Sequence, residues 1–242
     1  MQYFGGKHRI SKKLADFINK RLEKDQPFVD LFCGSCNVIS KVDDKRIRIA
    51  NDRHKYLVAM WRAATTGWVP PTVVTREDYE YVKKNKDENE ALTGFVGFGM
   101  SFGGKWFGGF TGEVSKNGQN YLKCAVSGLE KKLKGLNNVQ FYNEDYSQVQ
   151  LPDNSLIYCD IPYKGTTPYC KKEVGIFDHE SFYKWCKEMV ADGHTVFVSE
   201  YKENVPQDAR ILLELLSGTT NAAWQGSSKK TVEVIYTWEE VK

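Results

Sequence analysis

The sequence predicts an α/β fold built on an open sheet, and three observations carry that expectation. Short apolar runs end at an acid in Phe28–Asp30, Arg46–Asp52 and Leu156–Asp160. Helical spacing of apolar residues follows or precedes them, in Ile10, Leu14, Phe17, Ile18 and Leu22 and again in Tyr56, Leu57, Met60 and Trp61. The stretch Thr231–Trp238 alternates apolar and polar residues, as expected of a half-buried antiparallel edge strand.

Each element can be justified in order. Tyr3-Phe4-Gly5-Gly6-Lys7 sets a glycine pair, which lets backbone approach a ligand closely, before the first amphipathic helix. Phe28-Val29-Asp30-Leu31-Phe32-Cys33-Gly34-Ser35-Cys36 reads as a buried strand breaking into a tight turn, the place where such sheets hold a cofactor. The second strand ends at Asp52, about twenty residues past the strand-to-turn junction, where nucleoside-binding folds put the partner of the ribose hydroxyls. Asp52 as a helix N-cap is an alternative compatible with that role. Cys33 and Cys36 also have the spacing of a thiol redox pair or half a zinc site. Neither the other four cysteines nor the four scattered histidines complete a zinc site, so no metal is expected. The redox alternative stays open but leaves Asp30, the glycines and the later motif unexplained.

From residue 65 the pattern changes: Pro70-Pro71, a charged helical stretch near Asp78–Glu90, and then Phe95–Phe110, in which aromatics and glycines alternate with neither helical nor strand period. Those rings could stack on bases or pack one another. A basic helix over Tyr121–Leu133 closes the segment, so residues 65–135 read as an insertion between 1–64 and 136–242. Strands are then expected at Val139–Tyr142, Leu156–Asp160 and Thr195–Glu200, with helices at about Asp178–Asp192 and Gln207–Leu216.

The most informative stretch is Asp160-Ile161-Pro162-Tyr163. An acid at the carboxyl end of a strand buried on both faces lies where α/β sheets bind ligands. Asp160 offers a carboxylate to an amino group, the Ile161 carbonyl a second acceptor, and Tyr163 a ring for stacking. That set suits a flat amine such as a nucleobase.

The 242 residues are 41% hydrophobic, enough for a substantial core, and carry a formal net charge of only +3. The charge is uneven, with 13 Lys and Arg against 7 Asp and Glu in residues 1–60. Clusters such as Lys131-Lys132-Lys134 could follow a phosphate backbone or merely form a solvated helix face. The opening residues lack the apolar core of a signal peptide and no run approaches membrane-spanning length, so no membrane partner and a cytoplasmic location are expected.

Taken together and in order, YFGGK at 3–7, DLFCGSCNV at 30–38, AND at 50–52, EDY at 144–146 and DIPY at 160–163 resemble the motifs of Dam-type DNA adenine methyltransferases. The segments FVGFGMSFGGKWFGGF and FVSEY at 197–201 resemble the short phage-encoded branch of that family, which would act in a bacterial cell or phage-infected host. The resemblance implies a doubly wound, Rossmann-like S-adenosylmethionine methyltransferase fold with a mixed seven-stranded sheet, 65–135 being a target-recognition insertion. It implies S-adenosylmethionine as cofactor, double-stranded DNA as partner, and transfer of a methyl group to the exocyclic amine of adenine. Cofactor contacts are implied at Tyr3, Gly6, Lys7, Asp30, Gly34, Asp52, Asp145 and Asp160, and target contacts at Asp160, Ile161, Pro162 and Tyr163, with Lys7 also reaching the target side. Two positions depart from the family: Cys36 stands where a second glycine is usual, and Ile161 replaces a proline. Methylation of cytosine N4, or a methyltransferase-like DNA-binding protein with little or no activity, are the alternatives.

Overall fold

The computed structural model describes residues 6–112, 114, 118–166, 174–216 and 232–238. Seven strands form one sheet: β1 (Phe28–Asp30), β2 (Arg48–Asn51), β3 (Val139–Tyr142), β4 (Leu156–Asp160), β5 (Thr195–Tyr201), β6 (Arg210–Leu216) and β7 (Val232–Thr237). Their order is β3-β2-β1-β4-β5-β7-β6. The first five run parallel, and β7 lies antiparallel to both β5 and β6. The sheet is therefore mixed and seven-stranded, as expected. Its chain reverses direction of travel between β1 and β4, which is where an open sheet leaves a crevice at its carboxyl edge.

Strand residues alternate between two apolar layers, which is what winds helices on both faces. Phe28, Leu156 and Tyr158 enter one cluster, with Leu14 and Ile18 of α1 (Ser11–Asn19) and Leu57, Met60 and Trp61 of α2 (Lys55–Thr65). Val29, Ile157 and Cys159 enter the other, with Phe182 and Cys186. Between these helices come α3 (Arg76–Lys84), α4 (Glu90–Gly94) and α5 (Tyr121–Leu133), and the helix that carries Phe182 is α6 (His179–Ala191), capped by Asp178. Burial of Trp61 is complete, and its truncation to alanine would cost about 3–5 kcal/mol.

Three expectations need correction. Gln207–Leu216 is not a helix: Arg210–Leu216 is β6, whose Leu-rich run is ambiguous in period and is settled by pairing with β7, with a bulge between Ile211 and Leu213. The strand expected at the edge, β7, is antiparallel but interior, because β6 pairs along its outer side. The aromatic–glycine segment is not irregular throughout, since Phe95–Gly99 continues α4 as a π-helical turn and buries Phe95 and Phe98. Trp106 and Phe107 meet edge-on at 4.6 Å and Tyr79 meets Phe107 edge-on at 5.3 Å, whereas Phe102 is 70% exposed.

The end of α5 is tied to the sheet. A β-carbon on Gly135 would lie 1.9 Å from the Ser40 carbonyl oxygen, so only glycine permits that approach. The buried Arg48 guanidinium donates to the carbonyls of Gly135 (2.8 Å) and Asn137.

Candidate active site

The carboxyl ends of β1, β2, β3 and β4 lie side by side, and two groups of residues meet there. The first is a backbone cradle. Gly34, with φ of 47°, turns the chain sharply after β1 and donates its N–H to Asp52 Oδ2 at 2.9 Å. Asp52 Oδ1 accepts from His54 N at 2.9 Å. Asp52 is not the cap of α2, since His54 holds that position. Each Asp52 oxygen has spare acceptor capacity after one amide. Burial holds its carboxyl above the ordinary carboxylate range, and the amides of His54 and Gly34 pull it partly back.

Asn51 stitches the neighbouring strand ends, donating to the Leu31 and Glu144 carbonyls at 3.1 and 3.2 Å and accepting from Glu144 N. Asp145, in the next loop, pairs with Arg53 at 2.8 Å. Cys36 has φ of 54°, a backbone conformation disfavoured for a residue with a β-carbon. Both Cys33 and Cys36 are buried free thiols, and the Cys33 thiol is pushed well up by hydrogen bonding to Cys36 and by burial. An unreactive thiol of that kind argues against the redox alternative. Lys132 reaches in from α5 to donate to the Ser35 carbonyl, and burial lowers its pKa to about 8.

The second group is charged. Lys7 Nζ lies 2.9 Å from Asp160 Oδ1 and 3.3 Å from Glu233 Oε2, and it also donates to the Tyr163 hydroxyl. Tyr163 in turn donates to Glu233 Oε2 at 3.2 Å. The side chains of Lys7, Asp160 and Glu233 are 8%, 19% and 17% exposed, so the set is enclosed yet open on one side. Burial works against the Lys7 ammonium, but Asp160 and Glu233 outweigh it and leave its pKa raised. Burial raises the Asp160 carboxyl, Lys7 opposes this, and Glu233 adds to it. Asp30 lies beneath, 1% exposed, held well above the carboxylate range by burial, Asp160 and Asp52, with its Oδ1 making no hydrogen bond among the described residues.

The turn after Asp160 is pinned. His179 Nε2 donates to the Pro162 carbonyl at 2.9 Å, and Thr166 donates to that of Tyr163. Glu200 accepts from Lys164 N at 2.9 Å and Tyr201 N at 2.7 Å. The Ile161 carbonyl is taken by none of these bonds, and its side chain is buried in the second apolar cluster. Lys7, Asp160 and Tyr163 thus come together, as do Gly34 and Asp52. Gly6 directly precedes the charged group through Lys7, whereas Tyr3 lies outside the described residues. Glu233 escaped the sequence reading: in Val232-Glu233-Val234 an acid looks like the wet face of a half-buried strand, and only the approach of Lys7 and Tyr163 from distant segments encloses it.

Among the described residues no cluster of three His, Cys, Asp or Glu could hold a metal ion, and no helix is long and apolar enough to cross a membrane.

Residues 3–96 match the family of D12 class N6 adenine-specific DNA methyltransferases. That span holds the glycine–lysine opening, the Gly34 turn and Asp52, and stops short of Asp160. The chain is also similar to the type II methyltransferase M.FokI of Planomicrobium okeanokoites, 24% identical over 196 residues. The similarity covers 69% of this chain but 29% of that relative, so the chain spans less than a third of its length. Among solved structures it is similar to the rRNA methyltransferase aviRa of Streptomyces viridochromogenes, with a TM-score of 0.43 and 12% identity over 96% of this chain and 85% of that one. A conserved hypothetical protein of Streptococcus pyogenes gives a TM-score of 0.40 and 9% identity over 95% of both chains.

Proposed function

We propose that this protein is an enzyme that transfers a methyl group from S-adenosylmethionine to the N6 amine of adenine in double-stranded DNA. One observation carries the reading: a carboxylate at the end of the central β4, beside a carbonyl that accepts no hydrogen bond among the described residues, sits next to a glycine turn locked by a second carboxylate. The match of residues 3–96 to a D12 class methyltransferase family supports adenine over cytosine.

The residues fit that cofactor. Asp52 keeps acceptor capacity for ribose hydroxyls, and Asp30 has a buried carboxyl oxygen with no hydrogen-bond partner among the described residues, so it too could bind a ligand's polar group. Gly34 would underlie it, with Gly6, Lys7 and Tyr3 on the side of the amino-terminal arm and Asp145 near the adenine. When bound, S-adenosylmethionine supplies an electrophilic methyl group on a positively charged sulfur.

The chain's own residues do the rest. An exocyclic amine is a poor nucleophile because its lone pair is delocalised into the ring. Acceptors at Asp160 Oδ2 and the Ile161 carbonyl draw on its two N–H bonds and favour a pyramidal nitrogen. Tyr163 supplies a ring face to the base extruded from the duplex, and Pro162, held by His179, stiffens the turn. Fixing the amine in line with the methyl group contributes further by removing orientational freedom. Residues 65–135 are proposed to read the target, with the exposed Phe102 and the lysines of α5 toward DNA. The absence of long apolar helices among the described residues is compatible with action in the cytoplasm of a bacterial or phage-infected cell.

The test is to express the chain in a host lacking adenine methylation and to read the modified bases of its native DNA directly. N6-methyladenine at one recurrent sequence is expected. Methylation of cytosine instead, or none in a folded and cofactor-competent protein, refutes the proposal.

A further inference from the structure

The charged group holds one more acid than recognition of an amine requires. Asp160 alone can accept from the target, and Lys7 alone can orient it, yet β7 delivers Glu233 into the same enclosed space. Lys7 stands between the two carboxylates, 2.9 Å from one and 3.3 Å from the other, and Tyr163 binds both Lys7 and Glu233. Burying a second acid beside the first is costly unless its charge is used.

The use lies in the proton balance of the reaction read above, on which this inference rests. As the amine nitrogen forms its bond to the methyl carbon, the carbon–sulfur bond breaks with its electron pair staying on sulfur, and the nitrogen becomes cationic. It must then shed one proton. A carboxylate facing an uncompensated ammonium is a reluctant acceptor, because the ammonium stabilises its ionised form. A carboxylate facing a neutral ion pair is not. We propose that Glu233 is a positioning residue of the transfer reaction: by neutralising Lys7 it leaves Asp160 able to take up the proton released from the methylated amine. The site then carries the same net charge before and after transfer, since the positive charge lost from sulfur is matched by the proton gained at Asp160.

The direction of the electrostatics agrees, because burial and Glu233 raise the Asp160 carboxyl while Lys7 lowers it. Among the described residues, the other charged or titratable groups that interact with Asp160 are Asp30 of β1, Tyr158 and Cys159 of β4, and Tyr163 of the following turn. All of them remain in the variant that tests the idea.

That variant is Glu233→Gln, which keeps the shape and an acceptor for Lys7 but removes the charge. Protein labelled with carbon-13 at aspartate carboxyls, with Asp160→Asn to assign the resonance, reports the titration of Asp160 without any turnover. The Asp160 midpoint is expected at lower pH in Glu233→Gln than in the native protein. In transfer assays on unmethylated duplex DNA the plateau rate should fall by about tenfold or more, and the acid limb of the pH profile should move to lower pH. Glu233→Asp restores the charge and should restore the native midpoint, which a merely structural role would not require. An Asp160 midpoint and acid limb unmoved in both variants overturn the proposal while native transfer continues. A native protein that transfers no methyl group overturns the reading of function beneath it, whatever Glu233 does to Asp160.

Discussion

The two halves of the carboxyl edge are built by different physics. Around Gly34 and Asp52 the geometry comes mainly from backbone amides and a tight turn, and the contacts that Asp52's carboxylate makes are local or span one βα unit. Around Asp160 it comes from charges brought together from three distant places: Lys7 in the amino-terminal arm, Asp160 at the end of β4 and Glu233 on β7. A backbone cradle keeps its shape when one side chain changes. A charged trio does not, because each member fixes the protonation of the others. The first arrangement suits holding a ligand in a fixed position, and the second suits a step in which a proton moves.

That contrast can be broken most severely at Asp160. Asp160→Ala is expected to lower methyl transfer by about 10²-fold or more, while cofactor affinity changes little and the fold persists because Lys7 keeps Glu233 as partner. Tritium transfer near the native rate would mean that the chemistry lies elsewhere on the edge. A smaller effect is expected in the cradle: Asp52→Asn replaces a charge-assisted acceptor by a neutral one and should weaken S-adenosylmethionine binding about tenfold. Unchanged calorimetric affinity in the folded variant would separate Asp52 from the ribose. The smallest effect is expected at Ile161→Pro, which stiffens the carbonyl proposed to face the target but removes a buried side chain from the second cluster. Turnover should rise by no more than about twofold, with stability lower by about 1 kcal/mol. A dead native enzyme revived by proline would show that its carbonyl is misaimed.

How much of this was legible in the sequence follows the same division. The Gly34 turn, Asp52 and the strand ending at Asp160 announce themselves because local propensity and an abrupt change from apolar to acidic suffice to mark them. Lys7 is marked by the glycines before it. Glu233 is not, because an alternating strand has the same pattern whether its acid meets water or side chains from distant segments, and only the contacts with Lys7 and Tyr163 distinguish the two. β6 was misread for a related reason, since a short leucine-rich run fits a helix as well as a strand. Lys132 looks like its neighbours Lys131 and Lys134, and nothing short of the packing of α5 tells which of the three turns inward.

The inward turn of Lys132 bears on how such proteins could be recombined. α5 closes the stretch 65–135, yet its last turn supports the loop that holds Gly34, and Gly135 and Asn137 are clasped by Arg48 from the sheet. A chimaera that exchanged this whole stretch for that of a related protein would exchange part of the foundation along with the segment proposed to read the target. The workable junction lies before Tyr121, so that the helix stays with the body it braces and only the residues ahead of it are traded.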